Sequence, residues 1–382
     1  MKIDFKDLTP ETFLAEYWQK KPLIIKGAFA NFEDAIDANE LAGLAMEDFI
    51  ESRIISNKNT NWDVKHGPFG DFSEFGEDNW TLLVQAVNHW SADVDSLITP
   101  FKFIPNWRID DVMVSFSTPG GGVGPHLDQY DVFIIQGEGK RRWQVGKPDP
   151  SLAELIPHED LKQVSMFNAV IDEITEPGDL LYIPPNHPHN GVSIDNSINY
   201  SVGFQAPSAQ ELISAFADYQ VDNHLFEQRF DDSKREVSEN PEEMDETDFE
   251  LLNTVMTTAF KNEALVQDFL GKYLTTVHHT LNLLVPVETL SIELIKEILA
   301  EGEVLYPVLG LKCILINQHE IKSLFINGES FAVDTDTIEL AKLLATKKPL
   351  TKVLLESSTN CLKNQHLLTT VINKGLWCFE CD

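Results

Sequence analysis

Lysine and arginine are scarce in this 382-residue chain. Only 29 stand against 61 aspartates and glutamates, a formal net charge of −32. Nucleic acid and anionic bilayers are held by neutralising several phosphates at once, so this balance argues against both as partners. It suits a cationic partner, or an acidic surface with no partner at all. Cysteine is equally sparse: Cys313, Cys361, Cys378 and Cys381 all fall in the C-terminal third. Cys378 and Cys381 form a C-x-x-C pair, but no second pair stands at similar spacing to complete a structural zinc site. Reduced, non-ligating thiols in a cytoplasmic protein are expected. No apolar run reaches the length of a membrane span, and "MKIDFKDLTPETFLAEYW" has no apolar signal-peptide core. There is no internal repeat. What is present, 43% hydrophobic and 10% aromatic residues, is enough for two or three domains with real cores.

Three regions are expected. Residues 1–207 contain short strand-like runs between turn residues, among them "PLIIKG", "DVMVSFS", "DVFIIQG", "RRWQVG", "DLLYIPP" and "NYSVGF". They read as a β-sandwich or barrel, with "EDFIESRIIS" and "NWTLLVQAVNHW" as flanking helices or mixed segments. Residues 208–280 read as helices, opened by Ser208 as N-cap. The stretch 231–250, with ten acidic and two basic residues, reads as a solvated loop. The apolar surface of these helices packs on a partner subunit or on its own chain. Residues 281–382 mix helices with a hairpin turning at Asn327-Gly328, a compact winged-helix-like module, and "LWCFECD" ends the chain as a strand candidate.

The chemistry concentrates in "GGGVGPHLDQYDVF", residues 120–133. On extended backbone, His126 and Asp128 point to one face and offer an imidazole and a carboxylate to a single ion. A third ligand is available in "GDLLYIPPNHPHNG", where a turn presents His187 and His189. Two histidines and one carboxylate form the facial triad of non-haem Fe(II) oxygenases; a zinc site would more often show three histidines, two with a glutamate, or cysteines. In "GEGKRRWQVG", alternation puts Arg141 on the face of Trp143 and Val145, hence inside. There a bound carboxylate such as that of 2-oxoglutarate, or an internal acid, must pair with it. By the same parity Ser115 and Ser117 share a face, as do Asn199 and Ser201. These small polar residues either complete a cosubstrate site or are satisfied core groups.

"YWQKKPLIIKG", "WRIDDVMVSFSTPGGGVGPHLDQYDVFIIQG", "RRWQVG", "EPGDLLYIPPNHPHNG" and "NYSVGFQAPS" resemble the bacterial JmjC-domain ribosomal oxygenases. The resemblance is strong over the first 207 residues and extends over the rest in order and size. It implies an α+β chain: a double-stranded β-helix (cupin) core, a helical dimerisation region and a C-terminal winged helix. It places iron on His126, Asp128 and His189, the last being the histidine of the P-P-x-x-P-H turn, and 2-oxoglutarate on Arg141. The implied cosubstrates are 2-oxoglutarate and O₂. The implied reaction is hydroxylation at Cβ of an arginine in a basic large-subunit ribosomal protein, whose guanidinium Asp110, Asp111 or Asp131 could meet. Two rivals differ in what they require. A metal-dependent cupin isomerase would turn over no 2-oxoglutarate, and Asp128 in place of a second histidine argues against it. A DNA-binding regulator with a cupin sensor needs a basic recognition helix, and none is found.

Overall fold

Period-two alternation organises the catalytic domain. A computed structural model describes residues 2–58, 61–238, 240–318, 321–356 and 361–379. Its first thirteen strands are β1 (Leu23–Ile25), β2 (Ser52–Lys58), β3 (Asn61–His66), β4 (Trp80–Val84), β5 (Ile109–Ser117), β6 (Asp131–Gln136), β7 (Arg141–Gly146), β8 (Glu154–His158), β9 (Leu161–Val164), β10 (Ala169–Thr175), β11 (Leu180–Ile183), β12 (His189–Ser193) and β13 (Ser197–Phe204). They form an eight-stranded sheet in the order β1-β11-β6-β13-β5-β4-β2-β3, a three-stranded sheet β10-β7-β12 and the hairpin β8-β9.

Along β13, Ile198, Tyr200, Val202 and Phe204 point to one face. Along β5, Val112 and Val114 do the same. These join the main apolar core, which Phe13 of the N-terminal helix Pro10–Glu16 also enters. At roughly 1.5–3 kcal/mol for each large side chain fully buried, this outer face stabilises the sheet. The opposite face can therefore carry polar groups: Asp111, Met113 and Ser115 of β5, and Ser201 and Gly203 of β13, line a cavity. Ile134, Leu181 and Ile183 of the large sheet meet Trp143 and Val145 of the small one. The two sheets thus stack face to face as a double-stranded β-helix.

Residues 47–56 and 79–90 are mixed segments of strand and turn, not flanking helices. They carry β2 and β4, which pair with each other, and β4 also pairs with β5. Ile54, Ile55, Leu82 and Leu83 are all buried, so both faces are covered and helical periodicity is overridden by sheet pairing.

Ser208 caps the helix Ala209–Asp222 through a capping box with Glu211. The acidic stretch is loop only up to Asp245, whose side chain caps the helix Glu246–Thr258. Arg235 joins the two parts by pairing with Asp232 and Asp248. The helix Glu263–Thr275 leads to the C-terminal module. There the helices Ile292–Ala300, Ile338–Ala345 and Leu362–Asn373 surround the sheet Cys313–Gln318, Ile321–Ile326 and Glu329–Ala332. Asn327 and Gly328 have φ of 46° and 78°, the left-handed pair a tight hairpin needs. Trp377–Cys378 pairs with Tyr306–Pro307. Residues 380–382, including Cys381 and the rest of the strand candidate, lie outside the described residues.

Candidate metal centre and its cavity

His126 and Asp128 are not within a ladder strand, since β6 begins only at Asp131. His126 instead forms a single antiparallel bridge with His189. Each backbone N–H donates to the other's carbonyl at 3.0 Å, which places the two rings 4.1 Å apart, centre to centre. The glycines leading in permit this closeness. A Cβ on Gly122 would lie 2.4 Å from the carbonyl oxygen of Gly191, and one on Gly191 would strike the Trp143 ring. On the other side of Leu127, the carbonyl of Asp128 accepts the Asn186 N–H at 2.8 Å, tying this segment to the Pro184–Pro188 turn.

The ligand atoms of His126, Asp128 and His189 lie within 4.8 Å of one another. His126 Nε2 is 3.8 Å and His189 Nε2 3.4 Å from the Asp128 carboxylate. Both Nδ1 atoms face backbone carbonyls, Gly124 and His187 respectively, at 2.9 Å. That bond fixes the tautomer and turns the Nε2 lone pairs inward, the arrangement of metal-ligating histidines. Burial opposes ionisation of Asp128, but the hydrogen bond from His189 and the two imidazoles outweigh it and hold the carboxyl well below the usual range. Burial, then the neighbouring His189, lowers His126 to about 4. A neutral imidazole and an anionic carboxylate at neutral pH are what a divalent cation requires. Burial also works against protonation of His189, yet the bond to Asp128 raises it, so bound metal would replace a proton there. His187 is buried at the turn, its Nδ1 facing the Pro185 carbonyl, and stands outside the cluster.

Arg141 is 5% exposed on β7, pointing between the sheets as alternation required. Its guanidinium donates to Ser117 and, at 3.5 and 3.4 Å, to Ser115 and Ser197. Its buried Nε has no partner, and among the described residues no acid pairs with it. The internal-acid alternative therefore fails. Burial pulls this cation below its ordinary value to about 9, as expected of a charge awaiting an anion. The site fits a carboxylate.

Ser115 lines the cavity. Ser117 shares a hydrogen bond with Thr81 at 2.8 Å and serves Arg141 from behind. Asn199 is not on the cavity wall; its amide donates to Gln136 Oε1 at 3.0 Å. Asp131 cannot meet a substrate. It is fully buried and held by Arg108, Gln19 and Tyr182, because its position on β6 points into the main core. The sequence reading passed over Glu51, Arg53, Met113, Tyr130 and His279, which also line this cavity of about 650 Å³. Spacing could have suggested Tyr130, two residues beyond Asp128, and the Glu51/Arg53 pair; nothing local marks His279.

Two imidazoles and a carboxylate between the sheets of a double-stranded β-helix, beside a buried arginine lacking a counter-ion, define a metal- and 2-oxoglutarate-dependent oxygenase. Sequence and structure comparisons narrow the class. A JmjC domain matches residues 96–212 and a ROXA-like winged helix matches residues 239–377. The ribosomal protein uL16 3-hydroxylase of Escherichia coli (strain K12) is 41% identical over 368 residues, 96% of this chain and 97% of that protein. A probable ribosomal oxygenase of Haemophilus influenzae is 38% identical over 222 residues, 56% of this chain and 55% of that one. The structure of YcfD, a ribosomal oxygenase from Escherichia coli, in complex with cobalt and 2-oxoglutarate matches with a TM-score of 0.90 at 39% identity. That match covers 100% of this chain and 99% of that chain. The chain belongs to the JmjC-domain ribosomal oxygenases, and is an enzyme that uses Fe(II) and 2-oxoglutarate.

Proposed function

We propose that this enzyme hydroxylates Cβ of an arginine in large-subunit ribosomal protein uL16, with His126, Asp128 and His189 as the iron ligands and Arg141 as the anchor of 2-oxoglutarate. When bound, iron, 2-oxoglutarate and O₂ supply the oxidation and yield succinate, CO₂ and the hydroxylated side chain. The protein's own residues arrange it. The triad would hold the ion, Arg141 with Ser115 would orient the cosubstrate's distal carboxylate, and the apolar layer of Ile134, Trp143 and Val145 would keep water out. The observation that carries the reading is the make-up of one cavity. His126, Asp128 and Arg141 line it together with Glu51, Asp110, Asp111 and the half-exposed ring of Tyr130. Carboxylates and a ring face suit a guanidinium. Asp110 already pairs with Lys312 at 2.8 Å, which leaves Glu51 and Asp111 as the acids for the incoming cation. The test is 2-oxoglutarate turnover with Fe(II), with and without basic ribosomal proteins, followed by mass spectrometry for a product heavier by one oxygen. Turnover with no modified arginine in uL16 would overturn the substrate.

The same reading includes a cytoplasmic homodimer, as a ribosomal substrate and an unpartnered apolar face support. The helix Glu246–Thr258 buries no residue, and Phe249, Val255 and Met256 are 64%, 51% and 74% exposed. No helix of the described residues is long and apolar enough to cross a membrane.

A further inference from the structure

Between the helices Glu263–Thr275 and Ile292–Ala300 the chain returns to the catalytic domain. His279 of this connection lines the cavity that holds the candidate iron ligands. Its Nδ1 lies 3.5 Å from the Glu51 carboxylate and its Nε2 3.7 Å from that of Asp111. One imidazole therefore spans two acids contributed by the loop before β2 and by β5. The next residue is pinned: the Thr280 carbonyl faces Nδ1 of His89 at 3.0 Å. His89 is itself buried, on the short turn Val87–His89, and Gly310 of the C-terminal module packs against its ring.

The titratable and charged groups facing His279 are Glu51, Asp111, His89 and, on its own segment, His278. Burial drops His89 to about 4, so it brings no charge at neutral pH. Behind Asp111, Asp110 pairs with Lys312 at 2.8 Å. Asp111 accepts the Ala86 N–H at 2.9 Å, while burial, then the Asp110 charge, pushes its carboxyl up to about 6. The Asp111 oxygen that accepts the Ala86 N–H is also the one that His279 faces.

We propose that His279 is a specificity-determining residue: as imidazolium it occupies the Glu51–Asp111 pair, and a cationic substrate side chain must displace that charge to reach Asp111. The site therefore takes its substrate with His279 neutral. A neutral isostere of the side chain brings no positive charge to compete with the imidazolium for the two acids. This rests on the reading that a guanidinium enters the cavity.

The test uses the full-length protein with 2-oxoglutarate, Zn(II) in place of iron, and histidines labelled with ¹³C at Cε1. The His279 resonance is assigned with His279→Gln. It is titrated with pH alone, with an arginine-centred uL16 peptide, and with the same peptide carrying citrulline. The arginine peptide should lower the His279 pKa by about half a unit or more, a like charge disfavouring the protonated form, and the citrulline peptide should leave it in place. With the iron enzyme at pH 8, His279→Lys should raise KM for the arginine peptide roughly tenfold over His279→Gln. A purely structural role would shift both variants alike. An unmoved or raised His279 pKa on peptide binding, or equal KM in the two variants, overturns the assignment while leaving the substrate intact. Failure of the arginine peptide to bind sinks the substrate reading and this assignment with it.

Discussion

Among the described residues Arg141 has three hydroxyls around it and no acid, so a single substitution there should separate anchoring from ion binding. Truncating one partner of a buried charge pair costs about 3–5 kcal/mol. Arg141→Ala should therefore raise the 2-oxoglutarate KM by two orders of magnitude or more, while metal content stays normal. An unchanged KM would rule out the role. The triad behaves differently. His126→Ala, Asp128→Ala and His189→Ala should each lose bound iron and succinate production, whereas His187→Ala should be milder, since its ring faces the Pro185 carbonyl and lies outside the cluster. Metal analysis beside a succinate assay checks the order. A His187 variant worse than the His189 variant would show that the other histidine of the turn binds.

At the scale of elements, two junctions make opposite demands. The helix Glu246–Thr258 presents an apolar face that none of the described residues buries. Phe249→Asp with Val255→Asp should convert a dimer to a monomer in light scattering, and a wild-type protein already monomeric at micromolar concentration would end the idea. The turn Val87–His89 is sealed by the C-terminal module. His89 has a buried Nε2 without a partner, and its pKa is lowered from 6.5 to about 4, chiefly by burial. In the window between these values the unfolded chain binds the proton and the folded chain does not. The contribution is therefore complete above 6.5 and lost as pH falls toward 4. It amounts to about 3 kcal/mol. His89→Gln, which keeps a donor for Thr280, should flatten that part of the stability–pH curve, measured by chemical denaturation. A slope unchanged from wild type would contradict the assignment. Acids such as Asp34 and Asp95, raised mainly by desolvation, pull the other way, so the comparison with the variant is what isolates His89.

For the whole molecule, the net charge of −32 acts over distances that salt shortens, to about 8 Å at physiological ionic strength. Capture of a basic ribosomal protein should slow as salt rises, read as kcat/KM between low and physiological salt. Hydroxylation kinetics on such a substrate that ignore ionic strength would count against steering. The same field opposes DNA. Lys342, Lys347, Lys348 and Lys352 of the winged-helix-like module are scattered among acids, and Lys342 is paired with Glu339. Random duplex should not bind tightly at physiological salt, and the contacts of Lys312 and Gly310 with the catalytic domain give the module a packing role.

Much of this was legible because it is local. Alternation along β5, β7 and β13 depends only on backbone geometry, so the inward direction of Arg141 and Ser115 could be read from neighbours. Ser208 with Glu211, and Asn327 with Gly328, carry their cap and turn in a few residues. The family motifs singled out His189 over His187, which residue types alone had left open. Tertiary structure decided what requires partners remote in sequence. Residues 52–56 and 80–84 became strands because each supplies the other's ladder. Asp131 was lost to the core because Arg108 and Tyr182 converge on it from distant elements. Asn199 turned to Gln136 instead of the cavity. His279 reached Asp111 across 167 intervening positions. No spacing rule records such a meeting, since it exists only once the C-terminal half has packed on the catalytic domain.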